Sequence, residues 1–207
     1  MPLSNPTPRR PMHTRRVEYR GFLRDDGLWD IEGELHDSKP HAFEIQGEGR
    51  WDPGQPVHHM RIRVTLDVTM VVREIEAVMD SHPHAPCPQA LEPMQRMVGV
   101  QMGGGWRQAI ERHLGHIQGC THLRELLYNM ATAAFQTMAE VSFATPRDGR
   151  PPPHLGKCLA WDFDGPVTEK VYPMFFRWRP GPQDRPHRPQ EQAADQARPL
   201  NEASSAD

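Results

Sequence analysis

The chemistry this chain most openly offers lies in three cysteines. They are Cys87 in His82-Pro83-His84-Ala85-Pro86-Cys87-Pro88, Cys120 in Gly119-Cys120-Thr121-His122-Leu123, and Cys158 in Gly156-Lys157-Cys158-Leu159. An odd number cannot pair completely within one chain, and each sits beside a loop or helix-start signal rather than inside an apolar stripe. Thiolates are soft ligands and imidazole a borderline one, so such a set suits zinc or an iron-sulfur cluster. Cys87, Cys120, His122 and Cys158 are therefore the candidate metal ligands. No CxxC or HExxH spacing is present, so they must converge through tertiary structure. Ligands of one tetrahedral ion would bring the sulfurs of Cys87 and Cys120 within about 4 Å of each other.

Other chemistry is open to the same residues. Cys120 and His122 flank Thr121 where the longest apolar stripe begins, and the free N–H groups and dipole of a helix start favour a thiolate. Cys120 would then be a nucleophile, with His122 or His84 as base, in a thiol-dependent enzyme acting on an acyl or sulfur donor. Side chains at i and i+2 diverge on a helix, which argues against a simple dyad of Cys120 and His122. A third reading packs the cysteines as small apolar residues and leaves a binding module without chemistry. Cys87 stands between two prolines that stiffen its approach, a pattern that also describes a proline-rich turn with exposed histidines. His113 and His116 offer alternative ligands, although His113 falls on an apolar stripe and reads as half-buried. Gly103 to Gly105 lack the Lys-Ser/Thr of a phosphate-binding loop and read as a flexible helix start.

These residues need elements to hold them. Val17, Tyr19 and Leu23, then Trp29, Ile31 and Leu35, alternate on two strands joined at Asp25-Asp26-Gly27, a hairpin with suitable turn residues. Met60, Ile62, Val64 and Leu66 alternate with polar residues on a third strand, and Val71 to Met79 reads as a fourth after a turn at Asp67 to Thr69. Lys39 to Pro56 reads as a loop, and Asp30, Glu32 and Glu34 as solvent-side carboxylates. From Pro88 the period lengthens. Leu91, Met94, Met97 and Val98 mark a short helix; Trp106, Ala109, Ile110, His113, Leu114 and Ile117 a second; and Leu123, Leu126, Leu127, Met130, Ala134, Met138 and Val141 an anchor helix. The methionines on these stripes read as core. An antiparallel meander of about four strands packed against about three helices is an α+β fold. Cys158 to Trp178 reads as a returning extended segment.

Bulk properties set the boundaries. The 207 residues suffice for one ordinary domain with tails, and the mean hydropathy of -0.72 reflects polarity concentrated at the ends. Residues 1–12 and 179–207 are expected to be disordered, the second Pro-rich, around a single domain at 13–178. A net charge of -3 gives no strong pull on nucleic acid despite the arginines of the first twenty residues, which read as solvated. Neither a membrane span nor a secretory leader is evident. The expected compartment is therefore the cytoplasm, where thiols stay reduced and metal binding is favoured over a structural disulfide.

The run RRVEYRGFLRDDGLWDIEGELHD from Arg15 to Asp37 resembles the opening of the bacterial family of domains of unknown function numbered 2889. Gly104-Gly105-Trp106-Arg107, Gly119 to Leu123, Ala134 to Thr137 and Val171-Tyr172-Pro173 are similar to that family as well, in the same order, over about residues 13–178. The resemblance implies no activity. Residues 60–158 are also similar, in their order of elements, to U-type iron-sulfur assembly scaffolds, which use three cysteines and an additional polar ligand. Cys87 and Cys120 would correspond to two of those cysteines. No cysteine precedes Cys87, so Cys158 or a histidine would take the remaining place.

The leading expectation is a cytosolic accessory protein that binds a metal ion or cluster, or carries sulfur, and passes it to a protein partner, with no role for nucleic acid or membrane. Beyond Trp178 the only large aliphatic residue is Leu200, and prolines interrupt any helix, so the tail cannot offset its ordering entropy. Truncation after residue 180 is expected to leave the melting temperature and the metal content unchanged, as thermal melts and metal analysis of the two proteins would show.

Overall fold

A computed structural model describes residues 3–142, 149–179 and 181. The chain divides into two compact units, residues 1–146 and 147–207, so the domain expected at 13–178 spans parts of both. Residues 3–13 are exposed and carry neither helix nor strand. Of the Pro-rich tail, only residues 179 and 181 fall among those described.

The first unit is built on the expected α+β plan. Strands β1 (Thr14–Leu23), β2 (Trp29–Ser38), β5 (Pro56–Leu66) and β6 (Val72–Ser81) form one antiparallel sheet in the order β1-β2-β5-β6. Its inner face is set by alternation: Ile31 pairs with Val64 and Leu35 with Met60 in the register of β2 and β5, and all four are buried. The segment read as a loop between Lys39 and Pro56 instead folds into a hairpin, β3 (Phe43–Ile45) and β4 (Gly49–Trp51). Gly47 and Gly49, both at positive φ, allow its tight turn, and Phe43 stacks on Trp51 at 5.7 Å.

Helices cover one face of the sheet. Helix α1 (Trp106–Leu114) begins after Gly105 at φ 89°, and α2 (Thr121–Thr137) is the anchor, followed by the short α3 (Ala139–Ser142). The segment read as a first helix forms 3-10 turns, Cys87–Ala90 and Glu92–Met97, because Pro88 and Pro93 each lack the N–H that an α-helix would use. Ile117 leaves its predicted stripe: the chain turns extended at Gly115, and Ile117 is fully exposed. Six methionines do serve the core, Met60, Met94, Met97, Met102, Met130 and Met138. The indole of buried Trp106 donates to the Leu127 carbonyl at 2.7 Å and joins α1 to α2. Among the described residues no helix is long and apolar enough to cross a membrane.

Two glycines let α2 lie close to the sheet. A Cβ on Gly21 would stand 1.9 Å from Thr137 Oγ1, and one on Gly33 would stand 2.8 Å from Met130 Cε. Between them the Tyr19 hydroxyl donates to the Leu126 carbonyl at 3.0 Å, and burial pushes this phenol up to about 12. Helix α2 thus runs along β1, with its first turn over Arg15 and its last over Gly21.

In the second unit, the segment expected to be extended forms a 3-10 turn at Leu159–Trp161, helix α4 (Pro166–Val171) and a 3-10 turn at Pro173–Phe175. Pro166 and Pro173 stand in the first turns of these elements, where the fixed φ of proline starts a helix rather than a strand. Buried His154 packs edge-on against Trp161 at 4.6 Å.

Gly21→Ala is expected to destabilise the first unit by about 1–3 kcal/mol, because the new methyl displaces Thr137. Thermal melts should show a lowered midpoint that Thr137→Ala in the same chain partly restores.

Candidate metal centre

The inward side of β2 ends in a charge. Ile31, Gly33, Leu35 and Asp37 all point inward, and in the sheet register Asp37 lies between Arg15 on β1 and His58 on β5. Only 2% of Asp37 is exposed, yet its carboxylate accepts four hydrogen bonds from three side chains. Oδ1 accepts from Arg15 Nε at 2.8 Å and His13 Nε2 at 3.0 Å; Oδ2 accepts from Arg15 Nη2 at 2.7 Å and His58 Nδ1 at 3.0 Å. Burial by itself would raise this carboxyl. The hydrogen bonds and charge of Arg15, helped by His58 and His13, outweigh it and hold the group at about 2. The free end of Arg15 donates to Glu125 Oε2 at 2.6 Å, so the same guanidinium ties both strands to α2.

An ionised carboxylate only accepts, so His58 Nδ1 carries the proton it shares with Asp37. Burial lowers the pKa of His58 more than Asp37 raises it, and the imidazole stays neutral with a lone pair on Nε2. Its ring centroid lies 3.8 Å from that of His122, tilted by 34°. His122 belongs to the first turn of α2. Burial lowers its pKa too, and repulsion from Arg15, and from His58 were that ring to be protonated, acts in the same direction. Asp37, His58 and His122 each present a ligand atom within 4.8 Å of the others, a grouping found at this place among the described residues.

Cys120 stands beside this group of three and touches it through His122. It caps α2 with extended backbone, φ -91° and ψ 133°, and so stands outside the helix. The divergence expected of i and i+2 on a helix does not apply, and Sγ lies 3.8 Å from His122 Nδ1. In a tetrahedral zinc site with bonds of about 2.3 Å to sulfur and about 2.0 Å to nitrogen, the sulfur–nitrogen edge is about 3.5 Å.

These side chains open onto a cleft of about 650 Å³. Cys87, at the start of its 3-10 turn, lines this cleft together with Cys120 and His122, so three of the four predicted ligands share one space. Cys158 is exposed on the second unit and is not among the residues lining the cleft. His84 also lines it and meets Glu48 at 3.0 Å, while half-buried His113 uses its backbone carbonyl to accept from Arg96.

Sequence reasoning missed Arg15, Asp37 and His58. The signal was present: the alternations that carry Ile31 to Leu35 and Met60 to Leu66 continue by one step onto Asp37 and His58, a polar residue on each inward face. Arg15, read as solvated, is the partner that makes a buried Asp37 tolerable.

Acid should destabilise the fold in two steps. As pH drops below about 6.5 the unfolded chain takes up protons that His58 and His122 decline in the fold, so stability falls. Between about pH 4 and about pH 2, unfolded Asp37 is protonated while folded Asp37 is not, which removes roughly 2 kcal/mol. Melts of Asp37→Asn across this range should show a smaller second step, the remainder coming from Asp67, which is also held at about 2.

No curated protein and no solved structure matches the chain. Residues 13–136 match the family described as protein of unknown function (DUF2889), a span that contains the whole sheet, Arg15, Asp37, His58, Cys87, Cys120, His122 and nearly all of α2. That match covers more than half of the chain, and the protein belongs to the DUF2889 family.

Proposed function

We propose that the cleft is a transition-metal centre and that the protein is an accessory factor, holding zinc or an iron-sulfur cluster, or carrying sulfur, for a protein partner. The observation that carries this reading is the 3.8 Å edge between Cys120 Sγ and His122 Nδ1, set beside a neutral His58 whose other nitrogen is fixed by Asp37. A carboxylate behind a histidine orients the ring and raises its strength as a ligand. In this reading Cys87, Cys120 and His122 bind the metal, His58 Nε2 takes the place the sequence suggested for Cys158, and Asp37 and Arg15 position His58. Two sulfurs and two nitrogens form a set that zinc accepts, and the same four ligands divided over two irons would suit a 2Fe–2S cluster.

The same contact supports one alternative, a thiol enzyme with Cys120 as nucleophile and His122 as base. Metal analysis of protein purified without air separates the two. The metal reading expects about one equivalent of metal, lost with a fall in melting temperature in Cys120→Ser, because metal binding is linked to folding. Asp37→Asn should weaken zinc affinity by about 10–100-fold while leaving the ligands in place. Wild-type protein that carries no metal and binds no added zinc overturns the reading. Unchanged metal content and midpoint in Cys120→Ser, with lost turnover of an acyl donor, favours the enzyme.

A further inference from the structure

The hairpin β3–β4 lies outside the four-stranded sheet, and none of its residues joins the buried core. What it supplies is a wall. Phe43 and Ile45 line the cleft with the edge of Val57 on β5, so one side of it is apolar. Phe43 is held as a rigid platform by its stack on Trp51, with ring planes 19° apart. Two lasting cations line the cleft: Arg15, already paired with Asp37 and Glu125, and Lys39, whose Nζ lies 4.2 Å from the centre of the Phe43 ring. Among the described residues Lys39 makes no ion pair, since Asp37 is taken by Arg15 and its histidines, and Glu44, the other carboxylate on the cleft, lies beyond bridging distance.

We propose that the cleft binds a small organic carboxylate with an aromatic or similarly flat apolar body, its carboxylate paired with Lys39 and its body laid on Phe43, Ile45 and Val57. The assignment rests on the reading of this cleft as the functional site and adds the ligand the metal would meet there. A volume of about 650 Å³ lies within the usual range for small-molecule sites, and an apolar wall with one placed charge is how such sites fix orientation. A phosphorylated or sugar-like ligand would leave Phe43 and Ile45 without complement. An apolar molecule without an acid would leave Lys39 desolvated and unpaired.

The test is calorimetric titration of the full-length protein with 3-phenylpropionate and with its neutral amide, 3-phenylpropanamide, on samples whose zinc content is measured in parallel. The acid is expected to bind, and the amide to bind about tenfold more weakly or worse. Lys39→Met should abolish the preference for the acid, and Phe43→Ala should weaken both ligands, with zinc content unchanged in each variant. Phe43→Leu, which keeps an apolar wall without the ring, serves if Phe43→Ala does not fold, and should also weaken both. Equal binding of acid and amide, binding of neither, or an acid preference that survives Lys39→Met each overturns the assignment. Acid binding that depends on Lys39 in protein that binds no zinc would remove the metal reading and leave the ligand class standing. Zinc binding without acid binding would do the reverse.

Discussion

A carboxylate buried to the extent of Asp37 stays ionised only where its surroundings replace the water it has lost. Here the replacement comes from three elements at once: Arg15 on β1, His58 on β5, and His13 from the segment before β1. Because Arg15 also reaches Glu125 on α2, the charge at the end of the sheet fixes the place of the helix start above it. Loss of Arg15 would leave a charge uncompensated in a low-dielectric site, a more severe fault than never having buried one. The rest of the cleft inherits its geometry from this arrangement.

The consequences pass outward by simple chemistry. An ionised Asp37 forces the proton of His58 onto Nδ1 and leaves Nε2 as a lone-pair donor beside His122. Burial keeps both rings neutral, the state in which an imidazole has a lone pair to offer. His122 is in turn within reach of Cys120 only because the cysteine caps the helix from an extended backbone. The two readings share the contact of Cys120 with His122, which is why one cluster supports both and why metal content separates them.

The apolar half of the fold serves the same end. Gly21 and Gly33 remove the side chains that would hold α2 away from the sheet, and Tyr19 then anchors the helix backbone. A helix held further off would carry His122 and Glu125 out of range of His58 and Arg15. Packing along the whole length of α2 therefore bears on chemistry at its first turn. The inserted hairpin β3–β4 contributes little to the core and instead supplies the wall of the cleft.

Local pattern was enough to establish the strands of the sheet, the start of α2 at Cys120 and Thr121, and the burial of the methionine stripes, since each depends on a period of two or 3.6 that neighbours in sequence express directly. It also singled out Cys87, Cys120 and His122, because unusual residue types at helix starts are visible without a fold. Short-range pattern misjudged the hairpin at Phe43 to Trp51, the 3-10 turns after Cys87 and the helix at Pro166, where glycine and proline permit several local structures and packing selects one. Asp37, His58 and Arg15 could be assembled only by tertiary structure. Their separations in sequence are 22 residues from Arg15 to Asp37 and 21 from Asp37 to His58. A carboxylate, an imidazole and a guanidinium carry no sign in sequence that they will be buried together, because the burial that gives each its charge state comes from strands pairing across those distances and from a helix laid over them.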